Sequence, residues 1–193
     1  SCMTIDFLIK EMLKHAKVRR ESMHILNSKK ILIDKKAVTD RKFPVGLMDV
    51  VEIPELDEHY RIMLDSKGKF NLERISKEEA SLKFCKIIGK TMLKENKMQL
   101  NLVDGKNILI EKDGYKVNDT VVLELNENKV KKHLKLEEGA VVLLTSGKHI
   151  GYIGTVEKIT HFKGMRESIV MFKGKDANFE TLRDYCYVIS NEM

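Results

Sequence analysis

The apolar positions of this chain fall into two textures. In residues 4–15, Ile5, Leu8, Ile9, Met12 and Leu13 recur at the three-to-four spacing of an amphipathic helix, and Thr4 is placed to cap its start. Residues 18–28 predict a second helix with Val18, Ser22, Ile25 and Leu26 facing inward and Arg19 and Arg20 on the outer side of its first turn. From Ile31 onward the period shortens toward two. Ile31-Leu32-Ile33 reads as a short strand, Asp34-Lys35-Lys36 as a turn, Ala37-Val38-Thr39 as an edge strand and Met48 to Ile53 as a third strand. Tyr60–Leu64 and Phe70–Arg74 flank a polar Asp65–Lys69 turn and predict a hairpin, and Ser76-x-x-Glu79 is a capping box opening a short helix toward Leu82. Further strands are expected at Cys85–Ile88, Met98–Leu102, Asn107–Ile110, Thr120–Leu125 and Val130–Leu136.

Beyond Gly139 the strands become shorter and glycine punctuates them. Val141–Thr145, Thr155–Thr160, Ser168–Lys173, Asn178–Thr181 and Cys186–Ile189 give five strands, the number of a small SH3-like β-barrel. The pattern therefore predicts an α+β chain in three parts: a helix-and-hairpin module over 4–53, a mostly β central domain over 54–136 and a small barrel over 137–193. At 42% hydrophobic residues with only 2 Pro and 11 Gly, packed cores are affordable and disordered or collagen-like readings are excluded. No apolar run reaches a membrane-spanning length, and Asp6, Lys10 and Glu11 interrupt the N-terminal apolar residues, so no secretory signal is expected. The 3 cysteines, Cys2, Cys85 and Cys186, are far apart and odd in number. They are read as apolar fillers in a reducing cytoplasm rather than as a disulfide framework or a zinc site.

Charge sharpens the picture through its placement. The net charge of +6 sits entirely in residues 15–42, where Lys17, Arg19, Arg20, Lys29, Lys30, Lys35, Lys36, Arg41 and Lys42 face only Glu21, Asp34 and Asp40. The rest of the chain is neutral. A local cluster of this kind attracts a polyanion, most commonly nucleic acid, or else is a solvated face with its counter-charges elsewhere in the fold.

Helix, basic helix, strand, turn, strand, connector and strand in this order resemble the αL RNA-binding motif of ribosomal and RNA-modifying proteins. The likeness rests on Val18 to Ser22, Ile31 to Val38 and Gly46 to Val51. Gly139-x-Val141-x-Leu143-x-x-Ser146-Gly147-x-x-x-Gly151-x-x-Gly154-x-Val156 resembles the KOW motif of ribosomal proteins and elongation factors. An αL module, a β middle and a KOW barrel together are similar to the ribosomal protein S4e family. Phe43 to Val50, Leu64 to Phe70 and Tyr115 to Thr120 are the sharpest shared pieces. The resemblance implies a non-catalytic structural constituent of the 30S-type subunit. Its implied partners are small-subunit rRNA and neighbouring ribosomal proteins, with no cofactor, membrane or small-molecule substrate. The short ends, compared with the family, point to an archaeal member.

On that reading the phosphate contacts are the nine cations of residues 15–42, with a second patch at Gly147, Lys148, His149 and Gly151. Glycine there would let the backbone turn sharply and approach a phosphate. Phe43 is assigned to the core, so backbone and shape readout is expected rather than base stacking. Enzyme chemistry finds little support. Gly89-Lys90-Thr91 imitates the end of a phosphate-binding loop, but Phe84 stands where that loop needs its first Gly, so the triplet is read as a turn between strands. His15, His24, His59, His133, His149 and His161 lack metal-ligand spacing, and most are expected to be exposed. Two alternatives stay open. One is an RNA-modifying enzyme that uses an αL module for targeting, with Asp65 and Asp119 as its available carboxylates. The other is a KOW-type transcription factor that contacts polymerase.

Overall fold

The structure, a computed structural model, describes residues 2–93, 97–110, 114–160, 168–173 and 178–190. It is mostly β with few helices, and the chain forms two compact units.

The first unit comprises residues 1–64, 69–83 and 124–129. Strand β1 (Cys2–Thr4) runs into α1 (Ile5–Phe7), whose first turn is capped by Thr4: its hydroxyl accepts from the Phe7 amide at 3.4 Å. The predicted helix does not reach residue 15. Leu8–Met12 widens into a π-helical turn, with the Leu13 amide donating to the Leu8 carbonyl, and Lys14 turns the chain away at φ 58. Ile5, Leu8 and Ile9 are fully buried all the same, so the apolar spacing placed the right side chains inside despite the local change of pitch.

Helix α2 (Arg19–Asn27) packs Leu26 and Ser22 inward, with Ile25 half-buried. Val18, expected to face inward, is 53% exposed, because it occupies the extended cap position before the helix begins. The helix ends in a Schellman-type arrangement: the Lys30 amide donates to the Ile25 carbonyl and the Lys29 amide to that of Leu26. Lys29, at φ 53, occupies the position usually given to glycine.

Strands β2 (Leu32–Ile33) and β3 (Lys36–Ala37) form a hairpin with Asp34 and Lys35 as its two-residue loop. Strand β4 (Pro44–Gly46) pairs with β1, and β5 (Val50–Ile53) pairs with both β2 and β6 (Glu58–Leu64). With β7 (Phe70–Arg74), the antiparallel sheet has the order β3-β2-β5-β6-β7. The core beneath it holds Ile5, Leu8, Leu26, Ile33, Val51 and Ile62, each buried apolar side chain worth about 1.5–3 kcal/mol. The capping box forms as expected. The Ser76 and Glu79 side chains and amides satisfy one another, although the element they open is only a single 3-10 turn, Glu79–Ser81.

The second unit comprises residues 65–68, 84–123 and 130–193. Strands β8 (Leu82–Met92), β9 (Met98–Leu102), β10 (Asn107–Ile110), β11 (Thr120–Glu124) and β12 (Lys129–Leu134) form a sheet of order β10-β9-β8-β11-β12 around Cys85, Ile87, Leu100, Leu102, Val121 and Leu123. Gly89-Lys90-Thr91 is not a turn between strands. It lies inside β8, where the register against β9 slips between Ile87 and Gly89, so the glycine marks a bulge. A second antiparallel sheet follows, with β13 (Val141–Leu144), β14 (Ile153–Thr160), β15 (Ile169–Lys173), β16 (Asn178–Leu182) and β17 (Cys186–Ser190) in the order β16-β15-β14-β13-β17. All five strands expected after Gly139 are present.

Candidate nucleic-acid interface

Helix α2 carries an electrostatic anomaly. A helix N-terminus holds a partial positive charge, so cations in the first turn are disfavoured by about 0.3–1 kcal/mol each. Arg19 and Arg20 are nevertheless the first two helical residues, and both are exposed. Glu21 offsets part of this cost. Its carboxylate accepts from the Lys17 amide at 2.7 Å and the Val18 amide at 3.2 Å, and these two bonds hold its pKa below the usual value. On the buried side, the Ser22 hydroxyl donates to Asp6, whose other oxygen takes Lys10 at 2.9 Å. The Ser22 bond, more than Lys10, keeps Asp6 ionised below the usual carboxylate range. Counter-charge is therefore spent on seating the helix, while its arginines face solvent.

The other cations of residues 15–42 divide in two. Lys17, Lys29, Lys36 and Lys42 are exposed like the arginines, and Arg41 is half-buried. Lys30 and Lys35 are ion-paired. Lys30 reaches Glu55 at 3.0 Å, both groups well exposed. Lys35 Nζ donates at 2.6 Å to Glu52, a carboxylate only 5% exposed, on β5. Lys35 and Asp34 both have positive φ, 65 and 50, as a type I′ two-residue hairpin requires. For a lysine that conformation costs roughly 1–2 kcal/mol.

Asp34 is tied down as well. It accepts from the Val50 amide at 3.2 Å and from Lys83 Nζ at 2.5 Å. Lys83 also donates to Asp49 at 2.6 Å, and the far oxygen of Asp49 accepts from the Gly46 amide at 2.7 Å. Burial alone would lower the pKa of Lys83, but Asp49 and Asp34 outweigh it and hold the ammonium well above the ordinary lysine range. Sequence reading missed this residue, since Lys83 stands 49 positions from Asp34 and carries no local signal.

The second patch is packed differently from expectation. Lys148 is exposed, but the His149 ring stacks on Phe179 with centroids 3.9 Å apart. Gly147 and Gly151 have φ of 86 and 78. A Cβ on Gly151 would lie 1.8 Å from the Asp65 carbonyl oxygen, and one on Gly147 3.2 Å from the Tyr185 ring. Protein atoms, not an open cradle, fill the space beside both glycines, and this packing by itself accounts for glycine there.

Three further expectations change. Phe43 is not in the core: it is 38% exposed, since it lies before β4 rather than in it, in a turn closed by its amide donating to the Asp40 carbonyl. Phe7 is 51% exposed, so aromatic surface does accompany the basic segment. Cys2 is exposed, whereas Cys85 and Cys186 are the buried fillers expected. Of the histidines, His15 and His24 are exposed, His59 is buried, His133 and His149 are half-buried and His161 lies outside the described residues. Among the described residues no group of three or more His, Cys, Asp or Glu could hold a metal ion, and no helix is long and apolar enough to cross a membrane.

The model described as Ribosomal family S4e matches residues 56–130. A small ribosomal subunit protein eS4 from Archaeoglobus fulgidus is 40% identical over 96% of this chain and 77% of its own length. The eS4 of Methanocaldococcus jannaschii is 36% identical over 96% of this chain and 78% of its own. This chain belongs to the ribosomal protein S4e family. A crystal structure of the 30S ribosomal protein S4e from Thermoplasma acidophilum matches the fold of this S4e family member with a TM-score of 0.84. It is 30% identical and covers 98% of this chain and 95% of that one. In this S4e member the carboxylates Asp119 and Asp65 have structural occupations. Asp119, 2% exposed, accepts from the Lys116 amide at 3.0 Å, the Leu136 amide at 3.1 Å and the His133 ring at 2.7 Å. Asp65 accepts from the Lys67 amide within its own turn.

Proposed function

We propose that this chain is a structural, rRNA-binding constituent of the small ribosomal subunit, acting in the cytoplasm on the ribosome, with no catalytic step, cofactor or small-molecule substrate. Its relatives are named as small ribosomal subunit proteins, and it shares their sequence over nearly its whole length. The observation that carries the RNA-binding part is the exposure of Arg19 and Arg20 at a helix start whose dipole disfavours them, alongside exposed Lys17, Lys29, Lys36 and Lys42. Exposed cations kept at a local cost are a mark of function.

Within this reading residues 4–53 act as an αL module, with helix α2 and the β2–β3 hairpin supplying cations to the phosphate backbone. Residues 54–136 form the central domain. Residues 137–193 form a KOW-bearing, SH3-like barrel whose 147–151 loop offers Lys148 as a weaker second contact. The glycine spacing and the five-strand order support that assignment. Arg41 and Lys30, partly covered or paired, contribute long-range attraction more than direct contact.

The test is co-sedimentation with small subunits across a salt series. Wild type is expected to bind with a steep salt dependence. Replacing Arg19, Arg20, Lys36 and Lys42 together by Ala is expected to lower the slope of log affinity against log salt by about three to four. Unchanged binding would remove the basic surface from the function. Retention on polymerase rather than subunits would favour a transcription role.

A further inference from the structure

Cations on a flexible loop can follow any polyanion, whereas cations on a fixed backbone select a shape. The β2–β3 turn belongs to the second kind. Both of its loop residues are tied to groups outside the hairpin: Asp34 to Lys83 and the Val50 amide, Lys35 to Glu52. Lys83 in turn joins Asp49, which closes the β4–β5 connection through the Gly46 amide. Glu52 stands opposite Leu32 and His59 in the sheet register, and its second oxygen has no hydrogen-bond partner. Drawing Lys35 out to a phosphate would therefore leave an almost wholly buried carboxylate with only the His59 ring, 3.5 Å away, beside it. That costs more than a solvated phosphate contact returns. Lys36, the next residue, pairs with Ile33 in the hairpin and is exposed.

We infer that the hairpin is a preset presenter of charge, in which Lys35, Glu52, Asp34, Asp49 and Lys83 are positioning residues and Lys36 is the cation that meets the RNA. The inference rests on the rRNA-binding reading and deepens it. It divides two adjacent lysines that sequence treats alike: one is a strut, the other a contact. It also gives a residue outside the basic segment, Lys83, a part in RNA recognition that it plays without touching RNA. Preorganisation of this sort adds affinity by removing an ordering cost at binding rather than by adding a contact.

The experiment uses the full chain and in vitro transcribed small-subunit rRNA, with affinity measured from low to high salt and the fold of each variant checked by circular dichroism. Lys36→Ala is expected to reduce the salt slope by about one. Lys35→Ala is expected to weaken binding about tenfold at a single salt concentration while leaving the slope at the wild-type value. Lys83→Met is the direct probe of the strut. Because it could prevent folding, Asp34→Asn serves beside it: Asn tolerates the left-handed backbone and removes the charge from only one partner. Asp34→Asn is expected to weaken rRNA binding with no change of slope. Equal loss of slope in Lys35→Ala and Lys36→Ala, or wild-type affinity in a folded Asp34→Asn, overturns the inference. Failure of wild type to prefer rRNA over a control RNA of equal length would instead overturn the rRNA-binding reading beneath it.

Discussion

Lys83 and Lys86 stand three residues apart on β8 and are buried almost equally, at 2% and 6% exposure, yet they belong to different units and meet opposite surroundings. In the first unit Lys83 lies between two carboxylates, and burial strengthens their hold because little water competes. In the second unit Lys86 donates to two backbone carbonyls, of Asp184 at 2.6 Å and Cys186 at 2.9 Å. Dipoles compensate a buried charge less than full charges do, and burial pushes the Lys86 ammonium down to about 8. A buried lysine is thus a charged clamp or an easily neutralised donor according to its neighbours, and the sequence around it does not say which.

The contrast can be broken most directly at Lys83. Lys83→Met leaves Asp34 and Asp49 without their shared cation and is expected to cost about 3–5 kcal/mol in urea denaturation. Adding Asp34→Asn and Asp49→Asn should recover much of that loss. No recovery would mean that packing, rather than charge, sets the role of Lys83. Lys86→Met is expected to cost less, about 1–3 kcal/mol at neutral pH, because it strands two carbonyls and no charge. An order reversed between the two lysines would refute the comparison.

The pH dependence sharpens it further. Lys86 loses its proton near pH 8 in the folded chain but near 10.5 when unfolded, so between those values the unfolded state binds more protons. Stability measured against Lys86→Met should therefore rise with pH across that window, the full penalty of the buried charge being present below it. Thermal melts of both proteins from pH 7 to 10 check the sign; a flat difference would place Lys86 in wetter surroundings. The smallest effect concerns Cys186, whose thiol burial pushes up to about 11. In an alkylation time course at pH 8, exposed Cys2 should react at once, while Cys186 and Cys85 wait for unfolding.

Much of the local structure was legible because its causes are local. The Thr4 cap, the Ser76–Glu79 box and the alternating strands each depend on residues within a few positions of one another, as does the turn expected at Asp34-Lys35-Lys36, of which Lys36 belongs to strand β3. The π-helical turn at Leu8–Met12 was not legible, since a widened turn keeps the same apolar residues inside and leaves the pattern unaltered. Phe43 misled because size and apolarity do not tell whether a residue belongs to a short strand or to the turn before it, and here β4 begins only at Pro44. At the candidate site, the clustering of cations was visible in sequence. The separation of exposed Lys36 from paired Lys35 was not, because Glu52 lies 17 residues away from its partner.

The order of amino acids by itself determined the family, the helix-then-strand course of the chain and the concentration of positive charge in one short segment. These follow from composition, periodicity and nearest neighbours. Tertiary structure alone decided which lysines are spent inside the protein and which remain for a partner. A charge is neutralised by whatever folding brings within a few ångströms, and residues 17, 34 and 49 positions apart come that close only once the strands have paired.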